Sequence, residues 1–253
     1  MRSEGAHRRY TPEDVDRLVA MQRLVRSGVP VADAAARVRE VDASALVAPR
    51  HELVREPARG AVRALWESAA ALDGQRCASL IASMVRDVGV LRTWENVIVP
   101  VLQRAGAQWE RDSSGIDVEH MLSDAVTAGL FVDYPVKREG VLLAATDGED
   151  HVLPLYALRA ALAEAGIGCE MLAASTPARA LGDAAKRLHP SVVILWAQLS
   201  ENADLHGFDA LPGLRPRPAL AVAGPGWTGS AGHLKVPHLG DLREAVNFVR
   251  SHV

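Results

Sequence analysis

The chain is poor in the features that would commit it to several common chemistries. Its 253 residues include two cysteines, Cys77 and Cys169, far apart and outside any C-x-x-C pairing. That gives little support for a disulfide framework or a zinc site and fits a reducing interior. No N-terminal apolar run resembles a signal peptide, and no uncharged stretch approaches the roughly 18–20 residues needed to cross a bilayer; the expectation is a cytoplasmic protein with no membrane partner. No G-x-G-x-x-G follows a strand signal, no P-loop Lys-Ser pair is present, and no Ser-His-Asp spacing stands out, so the chain is not read as an enzyme. His189, His206, His233 and His238 are scattered and read as surface or loop residues. A net charge of -3 gives no global basic character, so contact with nucleic acid has to come from a local patch.

What is present is a globular balance, 49% hydrophobic and 23% charged, arranged in three parts. Residues 1–40 are charged and helical. Thr11-Pro12-Glu13-Asp14 reads as an N-cap, a proline at the first helical position and acidic residues in the first turn; Val15, Leu18, Val19, Met21, Leu24 and Val25 then recur at helical spacing. Residues 41–60, with Pro49, Pro57 and Gly60, read as a linker. Over 61–135 four helices are predicted: Ala61–Leu72, Gln75–Val88, Leu91–Arg111 and Asp117–Phe131. Asp73-Gly74, Gly89 and Ser113-Ser-Gly115 are the breaks, and breaks this short imply an antiparallel four-helix bundle. Pro100 conflicts with the third helix and predicts a kink there.

From 140 to 253 strand and helix signals alternate. Val141–Ala145, Gly168–Leu172, Ser191–Trp196 and Pro218–Ala223 read as strands, with helices over His151–Glu164, Ala178–Leu188 and Asp241–His252. That order predicts a Rossmann-like, doubly wound α/β domain with a parallel sheet, whose ligands bind beyond the carboxyl ends of the strands. His151 lies just past the first strand, after Thr146-Asp147-Gly148-Glu149-Asp150. A neutral imidazole is a good metal ligand when a nearby carboxylate fixes its tautomer, and Glu149 or Asp147 is placed to do so. The Trp196-Ala197-Gln198 segment ends a strand; lining a pocket floor and packing beside the last helix are equally open to it.

Two spaced motifs sharpen this reading. Trp109 precedes the Glu119-His120 pair in a W-x9-E-H pattern, and Glu149-x-His151 follows at the end of an apolar run. Together they resemble the MerR-type, B12-dependent, light-responsive regulators that repress carotenoid genes. In that family a winged helix-turn-helix segment, a four-helix cap and a cobalamin domain follow one another. The resemblance implies cobalamin, in its adenosyl or another form, or a related tetrapyrrole, with His151 as lower axial ligand to cobalt. It implies that Trp109 covers the upper face of the corrin, that Glu119 and His120 line the same cavity, and that Ala197, Leu199, Gly224 and Gly226 complete the cofactor site.

Departures from the pattern are specific. Pro154 stands at a glycine position, Ala197 replaces the serine of S-x-L in Ala197-Gln198-Leu199, and the glycine pair is Gly224-Pro225-Gly226. Glu110 occupies the place where some members carry a cobalt-trapping histidine. Residues 1–40 resemble a wing and its following helix, a partial reader whose recognition helix would precede Met1; Arg8, Arg9 and Tyr10 are the expected DNA contacts, reaching phosphates rather than bases. The resemblance further implies a homo-oligomer, dimer or tetramer, acting on promoter or operator DNA. Rival readings are a corrinoid carrier for methyl transfer and a ligand-free interaction regulator with a decayed pocket.

Overall fold

A computed structural model describes residues 55–253 apart from 113, 137, 212, 214 and 229–234. Arg8, Arg9, Tyr10 and the expected helices of the first forty residues lie outside the described residues. Glu56–Val253 form one compact unit, which carries the elements below from the first turn of the first helix onward.

Its first half is helical: α1 Arg55–Ala70, α2 Gly74–Val88, α3 Val90–Thr93, a π-helical turn Trp94–Ile98, α4 Val99–Asp112 and α5 Ile116–Leu130. The expected four-helix bundle is there, with α3, the π turn and α4 making one interrupted rod. Asp73 starts α2 by accepting the Arg76 N–H at 3.0 Å, which satisfies a donor that the first turn leaves orphaned. Leu65, Cys77, Ile81, Ile98, Leu122 and Val126, all at 0% exposure, form the centre of the bundle. At the crossing of α2 and α5 the backbones are so close that a Cβ on Gly129 would lie 2.7 Å from Ile81, so only glycine fits.

Two details differ from the sequence reading. Helix α1 begins at Arg55, inside the expected linker, because Pro57 falls in the first turn, where helical N–H groups have no partner to lose. The strain at Pro100 is taken up upstream. The proline lacks an N–H and its ring would press on the carbonyl of Asn96; the helix widens there, and the Val99 N–H bonds to Trp94 five residues back.

The second half is a five-stranded parallel sheet: β1 Arg138–Ala145, β2 Ile167–Leu172, β3 Val192–Trp196, β4 Ala219–Ala223 and β5 His238–Leu239, in the order β2-β1-β3-β4-β5. The two-residue β5 escaped the sequence reading because it is too short to show a period. Helices α6 Leu153–Glu164, α7 Ala178–Leu188, α8 His206–Asp209 and α9 Leu242–Arg250 complete the layers. Central β3 is flanked by β1 and β4 in register, Leu143 opposite Ile194 and Ile194 opposite Ala221. Being covered on both faces, it reads as a continuous apolar run. Its alternation sorts residues between two cores. Val192 and Ile194 join Val141, Leu143 and the cap residues, whereas Val193 and Leu195 join Leu142, Leu181, Val222 and Trp227.

The first of these cores runs without interruption from α2 and α5, through Leu155, Leu158 and Leu162 of α6, into the sheet. Glu164, at the end of α6, reinforces the join by accepting the Val90 N–H at 3.2 and 3.3 Å, and Arg243 of α9 pairs with Glu95 at 3.4 Å. Among the described residues no helix is long and apolar enough to cross a membrane.

Cys77 is buried and Cys169 partly so. Burial raises the Cys77 pKa, with the charge of Asp73 adding to it, and burial pushes Cys169 up to about 12 despite the lowering pull of Arg159. At pH 8 a thiol of that pKa is thiolate in roughly one molecule in ten thousand. Folded protein is therefore expected to resist 5,5′-dithiobis(2-nitrobenzoate), with both cysteines reacting once urea unfolds it; rapid reaction of Cys169 in the folded state would contradict this environment.

Candidate ligand site at the carboxyl edge of the sheet

The order 2-1-3-4-5 reverses direction between β1 and β3, and in open parallel sheets ligands bind beyond the carboxyl ends of the strands at such a switch point. The loop after β1 brings Glu149 inward to 0% exposure. One carboxylate oxygen, Oε1, accepts the His151 N–H at 2.9 Å and meets His151 Nδ1 at 2.6 Å. The other accepts the backbone N–H groups of Gln198 at 2.8 Å and Leu199 at 3.0 Å, with Asn202 Nδ2 at 3.4 Å. One buried side chain thus binds the β1 loop to the β3 loop. Thr146 supports it, its N–H and hydroxyl both donating to the Trp196 carbonyl, and Asn202 also donates to the Gly148 carbonyl at 3.0 Å.

Burial by itself would raise the Glu149 pKa. The donors outweigh it: the His151 N–H, the Leu199 N–H, the His151 ring and the Gln198 N–H bring the pKa down to about 2. A carboxylate is an acceptor only, so Nδ1 of His151 carries the proton of their contact, and in the neutral ring Nε2 keeps its lone pair. The imidazole is accessible, with a side-chain exposure of 58%. Among the described residues no three His, Cys, Asp or Glu side chains converge to cage an ion. A single oriented imidazole suits a metal that arrives already ringed by a macrocycle and lacks one axial ligand.

Of the other expected residues, Ala197, Leu199, Gly224 and Gly226 come to the same edge. Ala197 is fully buried and its carbonyl accepts the Gly226 N–H at 3.1 Å, while Leu199 is 38% exposed beside His151's carboxylate partner. The two glycines act through close approach. A Cβ on Gly224 would lie 2.3 Å from the Ala197 oxygen, and one on Gly226 would lie 2.5 Å from the Leu199 oxygen; Gly224 also has φ +106°. Gly224→Ala is therefore expected to cost several kcal/mol, on the order of 2–4, from backbone strain and displacement of the β3 loop. A urea midpoint unchanged by the substitution would show that this contact is soft. Pro154 occupies the first turn of α6, where a proline needs no N–H partner and starts the helix after His151.

Trp109 lies on α4 at 51% exposure, and Glu119 and His120 lie in the first turns of α5. Glu119 meets His120 Nδ1 at 2.7 Å and accepts the Ser123 hydroxyl at 3.1 Å. Among the described residues no hydrogen bond joins Trp109, Glu119 or His120 to the Glu149–His151 pair. Trp196 packs partly buried against the core shared with the cap, and Trp227 fills the other core at 1% exposure; the indole N–H of each has no protein partner. Sequence reasoning missed Asn202 and Trp227. Asn202 stands in a polar loop that no pattern distinguishes, and the Gln198 and Leu199 donors are backbone groups that leave no side-chain signal.

A parallel sheet with a buried carboxylate holding one imidazole at its switch point, joined through a shared core to a helical bundle, is the architecture of a Rossmann-like cobalamin-binding fold. Residues 61–132 match the B12 binding domain family, and residues 1–40 match the MerR HTH family of regulatory proteins. The chain is 29% identical over 246 residues to the HTH-type transcriptional repressor CarH of Myxococcus xanthus, covering 91% of this chain and 79% of that protein. It is 27% identical over 245 residues to the repressor CarA of the same organism, covering 93% and 79%. Its fold matches the monomethylamine corrinoid protein of Methanosarcina barkeri with a TM-score of 0.60 at 12% identity, over 77% of this chain and 99% of that one. These matches make the chain similar to the CarH-like, MerR-type regulators that carry a B12-binding domain.

Proposed function

We propose that this protein is a cytoplasmic transcriptional regulator, not an enzyme, that senses cobalamin and couples ligand state, with light acting through an adenosylcobalamin-type chromophore, to oligomerisation and DNA binding. The observation that carries the reading is the His151 imidazole, its Nδ1 held by the ionised, fully buried Glu149 and its Nε2 available to a metal. The residues fit the group. His151 would hold the cobalt, Glu149 would orient that imidazole, and Leu199, with the backbone of Ala197, Gly224 and Gly226, would shape the edge that receives the group. Trp109, Glu119 and His120 would contact it from the helical half. Bound there, cobalamin supplies a cobalt centre with an exchangeable upper group.

A ligand moves an equilibrium only by its differential affinity for two states. The chain supplies that difference at Trp109, a large indole half exposed on α4, whose packing depends on the bulk of the group it covers. The N-terminal segment, a MerR family match, is the DNA-binding part, with Arg8, Arg9 and Tyr10 as phosphate contacts.

The test is direct. Protein is incubated with adenosylcobalamin in the dark, then illuminated with green light, while absorption, sedimentation and operator retardation are followed. A stoichiometric corrin spectrum with changes in assembly and retardation on illumination is the expected result. Assembly and operator binding that ignore both ligand and light would sink the reading.

A further inference from the structure

A second cavity, of about 240 Å³, lies away from the carboxyl edge, where the last cap helix α5 and the 131–136 connection meet α6 and the edge strand β2. Its floor is apolar, formed by Leu130, Ala160 and Ile167. One wall carries the Arg159 guanidinium, 5.0 Å from the centre of the Tyr156 ring and 5.7 Å from that of Phe131. Tyrosine and phenylalanine faces orient the planar cation and hold it by its positive charge, but they leave its N–H donors without an acceptor: among the described residues Arg159 is in none of the hydrogen bonds or ion pairs. A half-buried guanidinium whose donors are unspent is an unusual feature, since arginine in such a setting is ordinarily matched by a carboxylate. Phe131, at the rim, is 77% exposed, the most exposed of the large hydrophobic residues described.

We propose that this cavity is a second binding site, for a small monocarboxylate with a compact aromatic or branched apolar body. The carboxylate pairs with Arg159 in the two-toothed manner that the guanidinium geometry favours, and the body covers the Leu130–Ile167 floor beneath Phe131. The volume sets the size, because drug-sized ligands take about 300–1,000 Å³ and this cavity is smaller. The neighbouring charges set the valence. Asp133 lines the cavity, Glu164 stands beside Tyr134 at 3.5 Å, and Glu170 lies close enough to raise the Cys169 pKa. These carboxylates oppose a dianion such as a phosphate monoester, whereas a single negative charge directly on Arg159 is favoured. Occupancy would bridge Leu130 of the cap to Arg159 and Ile167 of the sheet layer. The site uses none of the residues assigned to cobalamin, so it stands or falls independently of that assignment.

The probe is benzoate, with benzyl alcohol as its neutral isostere and phenyl phosphate as the dianion. Each is titrated into the full chain without cobalamin and followed by saturation-transfer NMR and by the thermal midpoint. Benzoate is expected to bind saturably and raise the midpoint, and Arg159→Gln to weaken it by at least about tenfold, the loss of one charge-assisted pair. Phe131→Ala, a change at an exposed rim position that leaves the fold intact, is expected to weaken benzoate by about threefold to tenfold through lost contact area. Both alternatives should bind more weakly than benzoate. No saturable benzoate binding, benzoate binding that both variants leave unchanged, or benzyl alcohol binding as well as benzoate would overturn the proposal.

Discussion

His151→Ala protein, incubated with adenosylcobalamin in the dark and passed over a desalting column, is expected to emerge almost colourless. Removing the partner that merely orients a metal-bound histidine costs about 10–100-fold in affinity, and removing the ligand itself should cost at least as much as the upper end of that range. The prediction is specific because His151 contributes little else. Its side chain is 58% exposed and, among the described residues, its side-chain hydrogen bond is to Glu149, so stability should change by less than about 1 kcal/mol. Equilibrium dialysis measures the affinity and a urea titration the stability. If His151→Ala retains a stoichiometric corrin with an unaltered spectrum, the axial ligand lies elsewhere and the cap residues become the first place to look.

Glu149→Ala should do the opposite, with its larger effect on folding. The substitution strands the part-buried N–H groups of Gln198 and Leu199 at the junction of two loops, and an orphaned donor costs about 1–3 kcal/mol, toward the lower end where water can reach it; a total on the order of 2–3 kcal/mol is expected from a urea titration. The charge itself should be visible in the pH dependence. The folded pKa, about 2, is below the ordinary 4.5, so the unfolded chain takes up the proton first on acidification. The stabilisation is complete above pH 4.5 and is lost as pH falls through about 2, a change on the order of 3 kcal/mol. Glu149→Gln keeps an acceptor oxygen but cannot titrate, and it should flatten that part of the curve relative to wild type. Identical acid profiles for the two proteins would show that the carboxylate is not held as the hydrogen bonds require.

Much of this architecture was legible because period and punctuation are local properties. The helices of the cap announced themselves through 3.6-residue spacing broken at Asp73-Gly74, Gly89 and Gly115, and the strands through short apolar runs between helices. Boundaries were less legible: α1 reached back to Arg55 through a proline and a glycine that read as linker, and the response to Pro100 required knowing which carbonyl the ring would meet. At the site, the Glu149-x-His151 spacing exposed the imidazole and its carboxylate, since both lie on one turn of chain. What holds that carboxylate was hidden, because Gln198, Leu199 and Asn202 are far away in sequence and two of them act through the backbone. Gly224 and Gly226 stood out by resemblance; their role as places where two main chains touch emerged only from the geometry of Ala197 and Leu199.

The uninterrupted core from the cap to the sheet has a mechanical consequence. A hinge needs a seam, a plane across which few side chains interlock, and the layer occupied by Leu155, Leu158 and Leu162 offers none. With Glu164 pinned to Val90 across the same boundary, the bundle should exchange its amide hydrogens together with the strands, as one cooperative block rather than as a lid that opens by itself. Such a block transmits a disturbance as a lever does. A change at one face of the block would therefore reach the outer surface of the helices as altered shape.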